Sequence, residues 1–120
     1  MANLFKPDVI EFVQGEKGET YPITLFNKDG SDASLIAYTA ATFTIISSID
    51  GTTIKGPISL TLAGGNILDW LMAAADTNIS DSLADKDHVG IIELTAAGII
   101  RRVTPNPIVR VIKNKVTAFP

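Results

Sequence analysis

The densest oxygen chemistry in this sequence lies between residues 76 and 87, where Asp76, Asp81, Asp85 and Asp87 share one stretch. Oxygen ligands at that density can hold calcium. The spacing fits no regular calcium loop, however, and Lys86 stands among the carboxylates. Asp81 and Asp85, four residues apart, would repel on a helix. A second candidate is "NKDGSD" at residues 27–32. A calcium loop begun at Asn27 needs a bidentate Glu at its twelfth position, which here is Tyr38, flanked by Ala37 and Thr39. The stretch is better read as a turn, because Asn and Asp tolerate left-handed backbone and Gly30 supplies positive φ. His88 is the sole histidine and cysteine is absent. One imidazole without a thiol assembles neither a histidine-based nucleophilic triad nor a zinc cluster. Entering a strand, His88 reads as a surface or capping residue. Gly64-Gly65 is followed by no Lys-Ser/Thr, and no Gly-x-Ser-x-Gly occurs. The sequence therefore predicts no catalytic, cofactor-binding or metal-binding residue.

Charge offers a different kind of site. The net charge is −3, but Glu93 is the last acidic residue. Arg101, Arg102, Arg110, Lys113 and Lys115 follow it, so residues 94–120 carry +5. Residues 1–93 set five basic residues against all 13 acidic ones. Such a bipolar chain can self-associate head to tail or offer its basic end to an acidic partner. Those five residues are the candidate protein-interaction site; the alternative is that they only line the solvent face of the last two strands. Nucleic acid would require a basic stripe interleaved with aromatics, and only Phe119 accompanies them.

The elements that would carry these residues show period-2 alternation. In "TYPITLF" Tyr21, Ile23 and Leu25 share one face; in "ATFTIISSI" Phe43, Ile45 and Ile49 do, opposite Thr42, Thr44 and Ser48. "PISLTLA" alternates Ile58, Leu60 and Leu62 with Ser59 and Thr61. Further strands are expected at 9–13, 89–95, 98–104 and 107–113, all crowded with β-branched residues that suit a pleated surface. "GEKGE", "NKDGSD", Asp50-Gly51, Gly64-Gly65-Asn66 and Ala97-Gly98 supply turns between them. The prolines of "TPNP" at 104–107 cannot donate to a ladder, so the chain bends or jumps there.

Residues 66–73 read as a strand with Leu68, Trp70 and Met72 inward. A helix from Asp69 competes, since Leu68, Leu71, Met72 and Ala75 match helical spacing. Beyond it, "TNISDSLADKD" reads as a loop with one short helical turn and Ser80 as its candidate cap. Seven to eight short strands without a long helix predict an all-β fold, a single antiparallel β-sandwich over residues 9–113. Residues 1–8 form an N-terminal arm, mobile or docked on a neighbour, and residues 114–120 a C-terminal tail.

With 120 residues, 46% hydrophobic and 19% charged, the chain suffices for one core without a disulfide or metal staple. The lack of Cys fits folding in a reducing cytoplasm. The start, "MANLFKPDVIEF", has no basic region leading into a long apolar stretch, so no signal peptide is expected. No window approaches ~18 consecutive apolar residues, so no membrane span is expected either.

Taken in order, "VQGEKGE", "TYPITLF", "DASLIAYTA", "ATFTIISSIDG", "GGNILDWLM", an acidic loop, "HVGIIELT", "GIIRRVTPNP" and "IVRVIK" form a familiar series. Over residues 9–113 it resembles the N-terminal domain of phage baseplate upper proteins, an immunoglobulin-like β-sandwich of tailed-phage virions. The resemblance implies a non-enzymatic structural role: such domains assemble into the baseplate and carry receptor-binding proteins through a downstream extension. No coiled coil or fibre follows the sandwich here, which favours a stand-alone module on the baseplate, tail or capsid surface, such as an adaptor or decoration protein. It implies a protein made in the host cytoplasm and located in the virion. Its partners would be other phage virion proteins, and it would form a homo-oligomer in the assembled particle. Ile46, Ile91 and Ile99 face outward by alternation and can form an interface, unless both faces are buried within the sandwich. The alternative function is a carbohydrate- or host-surface-binding module using Trp70, Tyr21 or Tyr38 as a stacking platform, although the inward position of Trp70 points to the core.

Overall fold

The β-branched runs do become strands. A computed structural model describes residues 4–6 and 8–119. In chain order its strands are β1 (Leu4–Phe5), β2 (Ile10–Val13), β3 (Thr20–Thr24), β4 (Phe26–Asn27) and β5 (Ala40–Ile46). They continue with β6 (Thr53–Gly64), β7 (Ile67–Leu71), β8 (Lys86–Ala96), β9 (Ile99–Arg102) and β10 (Ile108–Ile112). Between β7 and β8 lie a helical turn, α1 (Ala74–Thr77), and a 3-10 turn, Asp81–Leu83.

Eight strands form one sheet in the order β2-β10-β8-β5-β6-β7-β3, with β9 also on β8; β1 and β4 form a separate pair. The twelve-residue β6 carries the sheet around a corner, because its first part pairs with β5 and its last residues with β7. Its register slips at Gly56-Pro57. Gly56 has φ +118, and a Cβ there would sit 2.9 Å from the Phe43 carbonyl oxygen, so only glycine allows the two backbones to approach. The sheet thus curls over its own core. Trp70 on β7 meets Phe12 of β2 edge-on with centroids 5.2 Å apart, and Phe43 of β5 at the same distance. The edge strands β2 and β3 share no ladder. Instead the Tyr21 hydroxyl on β3 accepts from the Glu11 amide at 3.2 Å and donates to the Val9 carbonyl at 3.4 Å. The result is a compact, nearly all-β globule, almost a barrel, with Tyr21 bridging the gap between β2 and β3.

Alternation correctly orders most of the core. Ile23, Leu25, Phe43, Ile45, Ile58, Leu60, Leu68, Trp70 and Met72 are buried, joined by Ile92, Leu94, Val109 and Val111. Each such side chain contributes about 1.5–3 kcal/mol relative to exposure. Tyr21 and Leu62 are half-buried against the same core.

Several expectations are corrected. The sheet is not wholly antiparallel: β10 pairs with β2 in parallel. Hairpins oblige antiparallel pairing only between consecutive strands, and most of the chain separates these two. Ten strands form among the described residues rather than seven or eight. The excess is the two-residue pair β1–β4, while β9 and β10 lie along one edge of β8 on either side of the proline bend expected at 104–107. There Val103 donates to the Ile92 carbonyl and Gly90 to the Pro107 carbonyl, so the chain bends out and returns. Two helical turns appear where one was expected, and the Ser80 side chain makes no capping hydrogen bond. The longer helix from Asp69 does not form, since β3 and β6 both claim β7 as a strand. Ile49 is 61% exposed. The alternation ends at Ser47, whose hydroxyl accepts from the Ile49 amide as the chain turns.

Part of the N-terminal arm, residues 1–3 and 7, lies outside the described residues. Leu4 and Phe5 dock on the chain's own Phe26–Asn27, with Leu4 buried. Residues 114–119 are anchored as well. Asn114 donates its amide to Gln14 Oε1 at 2.8 Å, and Asp81 donates its amide to the Phe119 carbonyl at 2.7 Å.

Candidate interaction surfaces

The register along β8 decides what the five basic residues can do. Antiparallel pairing sets Arg110 beside Asp87, while the parallel β2 sets Glu11 on its other side. Arg110 donates from Nε to Asp87 Oδ1 at 2.8 Å and from Nη2 to Oδ2 at 3.1 Å, and lies 3.7 Å from Glu11. This fork holds the Asp87 carboxyl below its usual range and raises the Arg110 guanidinium. Arg102 meets Glu93 across the β8–β9 ladder at 3.0 Å. Arg101, opposite Leu94, lies on the other face and is half-buried. Lys113 and Lys115 are exposed beyond the end of β10. Measured along β8, Arg102 and Arg110 stand about 20 Å apart. The five residues therefore line a long edge instead of forming one patch, and two of them are neutralised by carboxylates of the acidic part of the chain. Two of the five charges are thus paired within the chain.

Apolar residues make a second kind of surface. Ile46 and Ile91 are half-buried on the outer face of β5 and β8, and Ile99 and Ile100 on the hairpin are 58% and 64% exposed. A hollow of about 470 Å³ opens among Leu35, Ile36, Tyr38, Leu62, Gly64 and Gly65. The loop that forms it is held by backbone hydrogen bonds from Ala33 to Leu25, Leu35 to Gly65, Tyr38 to Leu35, and Thr39 to Thr95. Ile36, on this fixed loop, is 93% exposed. None of the lining residues is charged.

The residues with chemical potential have structural work. His88 is not a surface residue but is 2% exposed. Its Nε2 donates to the Leu83 carbonyl at 2.7 Å, and its Nδ1 accepts the Ser48 amide at 3.2 Å. The ring thus ties the β5–β6 turn and the 3-10 turn to β8, and its cap-like role comes from within. The four aspartates disperse. Asp81 accepts from Gln14 and the Phe119 amide, Asp85 from the Lys113 amide, and Asp87 from Arg110, while Asp76 lies in α1. In "NKDGSD" the Asp29 carboxylate accepts from the Ser31 amide and hydroxyl, which lowers its pKa. Asp50 does the same with Thr52. Gly30, at φ +91, completes the turn. No group of three or more His, Asp or Glu is placed to hold a metal among the described residues. Trp70 is fully buried with its Nε1 unpartnered, so it offers no stacking platform, and the Tyr21 hydroxyl is engaged with β2.

Sequence reasoning missed Gln14. It is fully buried, and its Nε2 donates to the Ile79 carbonyl at 2.6 Å and to Asp81 at 3.0 Å. Its only sequence signal was its polar type directly after an apolar strand. A scan against protein-family models finds no match to this chain, and a search of the curated proteins finds none either.

Proposed function

We propose that this chain is a non-enzymatic structural module of a tailed-phage virion, an immunoglobulin-like β-sandwich that docks on baseplate, tail or capsid proteins. The observation that carries the reading is the strand order. Taking β3, β5, the end of β6, β7, β8 and β10 as strands B to G gives one wall D-E-B and another C-F-G, the immunoglobulin arrangement. That order supports the sandwich reading that the resemblance to baseplate upper proteins implies. The engagement of His88, Asp81 and Asp87 in structural bonds supports a scaffold over an enzyme, and exposed Ile36, Ile99 and Ile100 supply apolar docking surface. A carbohydrate-binding reading retains only Tyr38 as a platform. Immunogold labelling of particles purified from cells that produce the chain tests the proposal. Label at a fixed place on the particle is expected; bare particles, with all of the chain in the particle-free fraction, would refute it.

A further inference from the structure

We propose that Gly15 and Asp81 form a binding seat for a phenylalanine-bearing extended segment, filled by the chain's own residues 115–119 as a strap that opens and closes on the folded body. The seat is a gap that only glycine leaves. Gly15 has φ +78, and a Cβ there would stand 2.7 Å from Cζ of the Phe119 ring. The ring therefore lies against bare backbone, and Asp81 takes hold of the same residue. The Asp81 amide donates to the Phe119 carbonyl at 2.7 Å, and its Oδ1 accepts the Phe119 amide at 3.3 Å. Main-chain bonds give such a peptide contact its affinity, and the place for the side chain gives it specificity.

The seat stands without the strap. Gly15 donates its amide to the Thr77 carbonyl at 3.0 Å, and the Thr77 hydroxyl donates to the Glu16 carbonyl at 2.6 Å. Val13 donates its amide to the Glu16 carboxylate at 2.6 Å, closing the turn that carries Gly15. Gln14 Nε2 holds Asp81 from the body side at 3.0 Å. None of these bonds involves residues 115–119. The strap, by contrast, is bonded to the body only where it begins and ends. Asn114 fixes its root, donating both its amide and its side chain to Gln14, and Phe119 fixes its tip. Among the described residues, the bonds of 115–118 run to Asn114 Oδ1, which accepts the Val116 and Thr117 amides. A hollow of about 240 Å³ among Asp81 and residues 113–118 leaves the middle of the strap unpacked, and Val116 is 95% exposed. A segment with so few buried contacts opens at a lower free energy than the whole fold, so the strap swings about Asn114 while the sheet stays intact.

Amide hydrogen exchange on the free protein tests this independently of the virion reading. The reporter is the Asp81 amide, whose acceptor lies in the strap; the reference is the Val103 amide, bonded to Ile92 within the sheet. In wild type the Asp81 amide is expected to be protected about 10-fold or more over an unfolded one, yet about 100-fold or more less than Val103, at a rate that low urea does not change. Phe119→Ala should speed Asp81 exchange about 10-fold or more, with Trp70 emission still that of a buried tryptophan. A free peptide of residues 115–120 at about 5 mM, near the effective concentration that a short tether gives the strap, should then restore protection. The same peptide with alanine in place of its phenylalanine should not. Asp81 exchange that occurs only with global unfolding, as at Val103, overturns the proposal, and so does exchange at the unprotected rate. Wild-type exchange in Phe119→Ala, or a peptide without effect on that variant, overturns it as well.

Discussion

Replacing Gln14 by methionine keeps the volume of its side chain and deletes its polar head. In the native fold that head donates to the Ile79 carbonyl at 2.6 Å and accepts the Asn114 amide at 2.8 Å. Asp81, the third partner, retains the Phe119 amide, but the other two backbone groups lose this partner at a site where Gln14 is 0% and Ile79 1% exposed. The buried Ile79 carbonyl costs about 1–3 kcal/mol when orphaned and the half-buried Asn114 amide about 1, so the variant should lose about 2–4 kcal/mol. That is a large share of the ~5–15 kcal/mol available to a domain. Urea titration followed by the fluorescence of Trp70, the single and fully buried tryptophan, reads the loss as a midpoint lowered by about 1–2 M. A midpoint within about 0.2 M of wild type, at unchanged slope, would refute the assignment of Gln14 as the anchor of the C-terminal segment. Gln14→Glu sharpens the test. A buried carboxyl beside Asp81 has its folded pKa raised, so its stability is full below the unfolded value near ~4.3 and is lost as pH rises through the folded value. This variant should approach wild type in acid and fall behind it toward neutrality.

Gly90→Ala should cost about 1–3 kcal/mol in a thermal melt, since its Cβ would lie 2.9 Å from Val109 Cγ2 and 3.1 Å from Phe43 Cε1; an unchanged melting temperature would mean that the core has slack. The Asp87 carboxyl should titrate below the ordinary carboxylate range by NMR and return to it in Arg110→Gln. Because its folded pKa is depressed, the stability it adds is present above the ordinary value and lost as pH falls through the depressed one; identical titration in both proteins would refute the pairing. Tyr21→Phe should cost about 1 kcal/mol and speed hydrogen exchange at the Glu11 amide, which its hydroxyl accepts. Unaltered exchange there would mean that the seam between β2 and β3 is closed by something else.

Strands were legible because a half-buried sheet writes its face into the sequence at every second residue. Ile23, Leu25, Phe43, Leu68 and Trp70 obeyed that rule, and turn chemistry located Asp29-Gly30 and Ala97-Gly98. Alternation carries no stop signal of its own, so Ile49 was assigned to a face that had ended at Ser47. The parallel β2–β10 pair was invisible for a different reason: its partners lie about a hundred residues apart and no local pattern encodes their direction. Register also decides the pairing of two of the basic residues. Arg110 and Asp87 are distant in sequence and adjacent only once β8 and β10 are paired, so counting charge by sequence halves could not foresee their neutralisation. Gln14 and His88 share that limit, because a buried polar residue is recognisable only with its bonding partners in place.

The parallel pairing of β2 with β10 has a mechanical consequence. These strands lead in from the N-terminal side and out toward the C-terminal side, and they point the same way. Tension applied between the two ends therefore pulls β2 and β10 in opposite directions along their common axis. The four residue pairs from Ile10–Val109 to Val13–Ile112 are then sheared together, where a hairpin pulled from its open end would unzip one rung at a time. Gln14 and Asn114, bonded just past the last rung, lie in the same line of force. The parallel pair therefore meets tension between the two ends in shear.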